Sequence, residues 1–181
     1  MVTDDRHGVQ VLFAPNALPV LDLFRAFGSA DEVYGVEVFD RLEASLSGQV
    51  EAEVAKTIVS DVLLFSFALR RKRRAPMMFR PVASRLGTKD EYALMTLISA
   101  ASDVDQDLSR AAITALEIQE ADPLVSLASD ISRCLKALPF KTAFLDAKVF
   151  TAVVGLSLQV SKAGRTGLDG VYSKFNFNFK N

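Results

Sequence analysis

The chain has 181 residues, of which 50% are hydrophobic and 24% charged, with a formal net charge of −1. That fits one folded domain, or a domain with a tail, and excludes a wholly disordered chain. A single cysteine, Cys134, and a single histidine, His7, exclude an intrachain disulfide and a His-rich metal site.

Val9, Val11 and Phe13 alternate with Gln10 and Leu12 and stop at Pro15, which predicts a short strand or extended arm over residues 1–15. Asn16 is placed to cap a helix running through Phe27 and ended by Gly28, with Pro19 in its first turn. Ser29 opens a second helix to about Ser47, although Tyr34, Val36 and Val38 also alternate as a strand would. Val50, Val54, Ile58, Val62, Phe65 and Leu69 step by three or four and make the apolar stripe of a third helix. That helix runs into Arg70–Arg74 and must end before Pro76. Ala75 to Gly87 reads as a loop or hinge.

Thr88 and Glu91 form a capping box for a helix to about Ala101. Ser102 or Asp103 caps the next, to about Gln119, and Asp122 caps another with Pro123 at its first position. In that helix Leu124, Leu127, Ile131, Cys134 and Leu138 follow a bundle seam that Pro139 ends. Leu145, Val149, Ala152, Leu156 and Val160 form the last stripe, flanked by Phe144, Phe150 and Val154. A helix apolar nearly all round belongs in the middle of a bundle. The fold expected is all-α, a bundle of about six to eight helices over residues 16–162 with extended N- and C-terminal arms, 1–15 and 163–181. The basic loop 70–89 could divide the bundle into two lobes.

Charge is segregated along the chain. Residues 1–69 carry 4 basic and 11 acidic side chains, residues 70–89 carry 8 basic and none acidic, and residues 90–140 carry 3 basic and 9 acidic. Segregation of this kind bears on partner choice more than the net charge does. The start of the chain lacks a basic segment followed by an apolar run, and neither Ile58–Leu69 nor Ala143–Val160 is free of charge. No secretory signal and no membrane span are expected. The expected location is intracellular and cytoplasmic, or nuclear in a eukaryotic host.

Motifs for catalysis are weak. Asp103, Asp105 and Asp107 begin like a calcium loop, but Leu108 and Thr114 stand where glycine and glutamate are required, so acidic residues at a helix start are the better reading. Glu117, Glu120 and Asp122 have no histidine nearby. Cys134 reads as a core thiol, and Gly164-Arg165-Thr166-Gly167 lacks the second helix that a nucleotide-clamping GxxG needs. No catalytic residue, metal or cofactor is expected.

The most specific feature is the basic segment. Arg70, Arg71, Lys72, Arg73, Arg74, Arg80, Arg85 and Lys89 could neutralise phosphates, and Phe79 could stack on a base. The opposing reading is a solvated face, because cations are favoured at a helix C-terminus. Phe175, Phe177 and Phe179 alternate near the chain end and suit burial on the domain itself or self-association. The expected function is non-enzymatic nucleic-acid binding by a homo-oligomer, RNA or single strands favoured over duplex. The alternatives are a helical interaction module with an acidic protein partner, or peripheral binding to anionic membrane.

Overall fold

A computed structural model describes residues 10–28, 36–101, 105–135 and 144–155. Among them are seven α-helices and one two-stranded sheet, an all-α bundle. The helices are α1 (Leu18–Gly28), α2 (Val36–Leu46), α3 (Ala52–Lys72), α4 (Lys89–Ala100), α5 (Gln106–Ala115), α6 (Asp122–Cys134) and α7 (Ala147–Val154). Packing is organised by α3 and α4. The stripe read from sequence holds from Ile58 on: α3 buries Ala55, Ile58, Val59, Val62, Phe65 and Leu69 and packs on α1, α2 and α6, while Val54 is half-buried and Val50 precedes the helix. On the other side, α4 packs on α5, α6 and α7.

The helix buried nearly all round is α4, in which every residue from Asp90 to Ala100 is buried. The last helix was expected there. Instead α7 is short and peripheral. It buries Phe150 but leaves Val149 and Ala152 exposed, and Gly155 ends it with φ 74°. Leu156 and Val160 lie outside the described residues. The two aromatics near α7 do reach the core: the Phe144 ring lies 5.5 Å from Tyr92, and Phe150 lies 6.3 Å from the same ring.

Several caps differ from the sequence reading. Asn16 does not cap α1. Pro15 starts a 3-10 turn, Pro15–Ala17, one residue earlier, and Asn16 sits inside it with its Oδ1 buried and unpartnered. The first cap of α5 is Asp105, which accepts from Leu108 N at 3.0 Å; Ser102 and Asp103 lie outside the described residues. α5 also ends before Gln119. Ile118 N donates to Ile113 O and Glu117 N to Thr114 O, a Schellman closure that puts Glu117 at φ 55°. Asp122 and Pro123 are the first two residues of α6, and the capping position is Ala121. Ser29 and Tyr34 lie outside the described residues. From Val36 on the chain is helical, because Leu42 and Leu46 bury on one face.

The N-terminal segment is docked where it is described. β1 (Val11–Leu12) pairs antiparallel with β2 (Leu86–Gly87), Val11 opposite Gly87. Phe13 follows into the core, and its N–H donates to Arg85 O at 2.9 Å. Gly87 is required by this approach, since a Cβ there would lie 2.0 Å from Phe13 Cε2. Among the described residues no helix is long and apolar enough to cross a membrane.

Candidate anion and nucleic-acid interface

The basic loop is tied down by a buried arginine that belongs to none of the expected site residues. Arg25, in the last turn of α1, is fully buried. Its Nε donates to Glu91 Oε1 at 2.7 Å and its Nη2 to Glu91 Oε2 at 3.3 Å. Nη1 donates to Asp22 Oδ1 at 3.0 Å and Ser84 O at 2.7 Å, and Nη2 also reaches Leu86 O at 3.1 Å. Glu91 in turn accepts from Arg80 N at 3.0 Å and Thr88 N at 2.8 Å. The capping box therefore holds as expected, with Thr88 Oγ1 accepting from Glu91 N at 3.1 Å. Glu91 does a second task through Arg25.

This network fixes the loop from both sides. Ala83 N donates to Asp22 Oδ2 at 3.0 Å, and Ser84 N closes a turn on Pro81 O at 3.1 Å. Ala83 has φ 66°, a value that favours glycine at that turn position. Thr88 Oγ1 donates to Met78 O at 2.8 Å. The segment expected to be a loop or hinge is thus a loop with its backbone groups pinned to α1 and α4.

The end of α3 then divides the basic run: Arg70, Arg71 and Lys72 point around the helix axis, Arg73 is the extended cap residue that bridges Ile118, and Arg74 lies beyond the helix. Lys72 pairs with Glu120, whose carboxyl is held below its ordinary value by that hydrogen bond and charge. Arg73 Nη2 donates to Asp90 Oδ2 at 2.8 Å. Arg70 Nη2 donates to Phe27 O at 3.2 Å. The Gln119 amide oxygen, turned toward Arg74, accepts from its Nη2 at 3.1 Å. Arg71, Arg85 and Lys89 are exposed, and the half-buried Arg80 lends its backbone N–H to Glu91.

Four of the nine expected residues converge. Arg70, Arg73, Arg74 and Phe79 line one cavity of about 550 Å³ between α1, the end of α3 and the loop. Phe24, Leu69 and Met77 give it an apolar wall, and no lining residue is acidic. The floor approaches α1 closely. A Cβ on Gly28 would lie 2.0 Å from Phe79 Cε2. Two polar groups in the lining are unsatisfied: Ser66 Oγ, and Nε and Nη1 of Arg73, are buried without a hydrogen-bond partner. Arg71, Lys72, Arg80, Arg85 and Lys89 lie outside the cavity lining.

Sequence reasoning passed over Arg25, Asp22, Asp90 and Ser66. A signal existed for the first: Arg25 interrupts an apolar run between Phe24 and Phe27, where a charge must find partners. Ser66 carried none, because a helical serine ordinarily bonds back to its own helix.

The other candidates are quickly placed. Cys134 is half-buried at the edge of the core, and burial and then Asp61 push its thiol up. Asp61 is itself raised, first by burial and then by Asp130. Asp105 and Asp107 serve the start of α5, and among the described residues no His, Cys, Asp and Glu cluster could hold a metal ion. His7, the glycine segment 164–167 and Phe175, Phe177 and Phe179 lie outside the described residues. Comparison with protein-family models, curated proteins and solved structures returns no match.

Proposed function

We propose that the protein is a non-enzymatic binder of single-stranded nucleic acid, RNA favoured over duplex, acting through the segment 70–89. The observation that carries this reading is the convergence of Arg70, Arg73, Arg74 and Phe79 on one concave, acid-free surface. Cations neutralise phosphates, and an aromatic ring in the same hollow offers a stacking face. Exposed Arg71, Arg85 and Lys89 extend the positive potential beyond the cavity. The reading includes a cytoplasmic location and self-association through Phe175, Phe177 and Phe179. Deleting residues 171–181 should then lower the mass per assembly in light scattering.

The test is the salt dependence of binding to a single-stranded RNA oligonucleotide. Arg70→Gln with Arg74→Gln leaves the buried Arg73 in place and should flatten the slope of log K against log salt by about 0.7 per lost contact. Unchanged affinity and slope in the double variant would remove the proposal.

A second reading has its own observation. Leu64 and Phe67 are 55% and 48% exposed on α3, and Arg71 follows on the same face. An apolar stripe ending in a cation suits an amphipathic acidic segment of a protein partner. Phe67→Ser should abolish that binding and leave RNA binding intact.

A further inference from the structure

We infer that the cavity at the end of α3 is a discrete site for a phosphomonoester carried on a planar or apolar body of nucleotide size. The starting point is a mismatch of donors and acceptors. The Arg73 side chain is 7% exposed, yet only its Nη2 is engaged, by Asp90. Nε and Nη1 are buried without a partner, and so is Ser66 Oγ in the same lining. The two-donor edges of a guanidinium pair Nη2 with either Nε or Nη1, so with Nη2 on Asp90 the idle Nε and Nη1 of Arg73 are two separate donors, each suited to one phosphate oxygen. Leaving donors idle in a buried place costs stability, and a ligand is one partner that offsets that cost.

The surroundings select the ligand. Arg70 and Arg74 add two cations to Arg73 around the same hollow, and Asp90, the carboxylate bonded to Arg73, is committed to its Nη2 and to Met78 N at 3.4 Å. The C-terminal end of a helix repels anions, so the arginines must more than offset the α3 dipole. A dianionic monoester gains more from three cations than a singly charged diester does. The same lining includes the apolar side chains of Phe24, Leu69, Met77 and Phe79. The ligand therefore has a charged end and an apolar or aromatic end. About 550 Å³ lies within the range of small-molecule sites and is too little for several nucleotides.

The chemistry has two sources, a free mononucleotide or the phosphorylated end of a strand. The site does not depend on general strand binding, and the two separate by experiment. Titration calorimetry of the intact chain with adenosine 5′-monophosphate should show one site, weaker with inorganic phosphate and weaker still with adenosine. Binding should strengthen as pH rises through about 6, where the second phosphate proton leaves. Arg73→Gln should weaken it roughly ten- to a hundredfold. Because Arg73 also pairs with Asp90, Ser66→Val gives the cleaner test. That hydroxyl has no partner to lose, and valine removes it and adds apolar bulk to the lining.

Comparing a 5′-phosphorylated with a 5′-hydroxyl oligonucleotide then assigns the source. A preference for the phosphorylated strand that Ser66→Val erases makes it the strand end; mononucleotide binding alone makes it the free ligand and removes the strand-binding proposal. Absence of binding by the folded protein to both monophosphate and phosphate at millimolar concentration overturns the inference. So does binding that Ser66→Val and Arg73→Gln leave unchanged. Oligonucleotide binding indifferent to the 5′ end and to Ser66→Val would retain strand binding and reject this site.

Discussion

Among the described residues, Arg25 and Arg73 bring buried guanidinium groups to α4, and neighbouring carboxylates receive them, Glu91 and Asp90. At Arg25 all three nitrogens are engaged, by two carboxylates and two backbone carbonyls. At Arg73 one nitrogen is engaged and two are idle. The same side chain, in the same part of the fold, is thus finished in one place and unfinished in the other. Complete satisfaction marks a structural tie, because nothing is left over for a ligand. Incomplete satisfaction beside a cavity marks donor capacity that something else can use.

The largest effects should come from the finished site. Arg25→Met strands Glu91 as a buried, unpaired charge and frees the loop from α1. The expected loss is about 3–5 kcal/mol, read as a lower urea midpoint with new protease cleavage in residues 76–87. Arg73→Met should cost less, about 1–3 kcal/mol, since the Asp90 side chain is buried less completely than that of Glu91 and keeps the Met78 N–H. Equal losses at the two positions would erase the distinction between tie and ligand site.

The glycines beside each arginine make a second, smaller contrast. Gly87→Ala puts a methyl 2.0 Å from Phe13 Cε2 and 3.0 Å from Glu91 Oε2, where both neighbours are buried. Overpacking of this kind costs about 1–3 kcal/mol. Gly28→Ala meets only the Phe79 ring, which is half-buried and borders the cavity, so the ring can swing aside at lower cost. The expected signature is a small change in melting temperature with a clear change in Phe79 side-chain resonances. A larger destabilisation at Gly28 than at Gly87 would show that the cavity wall is as rigid as the tie.

How much of this was legible in the sequence follows from which forces are local. The α3 stripe, the Thr88–Glu91 capping box and the all-α architecture depend on residues three or four apart, and the chain displays those spacings directly. The basic run was legible as charge but not as a site. Its division among Phe27, Glu120, Asp90 and Gln119 depends on partners 17 to 48 residues away. The last helix misled because composition does not say which apolar helix becomes central. α4, with a modest-looking sequence containing Thr96 and Ser99, took that place, and Thr96 satisfies itself on Tyr92 O at 2.9 Å. Ser66 was invisible, since its meaning lies in a bond it does not make.

Two unpartnered hydroxyls test that meaning. Tyr92 Oη is buried without a partner among Phe13, Phe144 and Phe150, and burial pushes its pKa up, disfavouring the ionised form. It lines no cavity with cations. Tyr92→Phe removes an uncompensated polar atom and should gain about 1 kcal/mol, visible as a melting temperature a few degrees higher. Ser66→Ala should give a similar or smaller gain. The two should part on ligand affinity: monophosphate binding falls in Ser66→Ala and stays unchanged in Tyr92→Phe. A parallel response would make both hydroxyls mere packing defects.

Asp61 offers the smallest effect and an intermediate case, a carboxylate favoured by a cation, Arg133, that is already paired elsewhere. Arg133 Nη2 is paired with Asp130 Oδ1 at 2.6 Å, so its pull on Asp61 is outweighed by burial and by Asp130. The Asp61 carboxyl consequently holds its proton to higher pH in the native state than in the unfolded chain. Between the ordinary carboxyl range and that raised value the native state binds more protons, so stability falls as pH rises through the window. Asp61→Asn removes the penalty. The variant should match the wild type below about pH 3.5 and exceed it slightly at about pH 7, by urea midpoints. It should also let Cys134 react somewhat faster with thiol reagents, because Asp61 is the second cause holding that thiol up after burial. A variant less stable than wild type at neutral pH would mean that Arg133 favours Asp61 after all, and that a half-engaged cation here is shared, as the idle nitrogens of Arg73 are not.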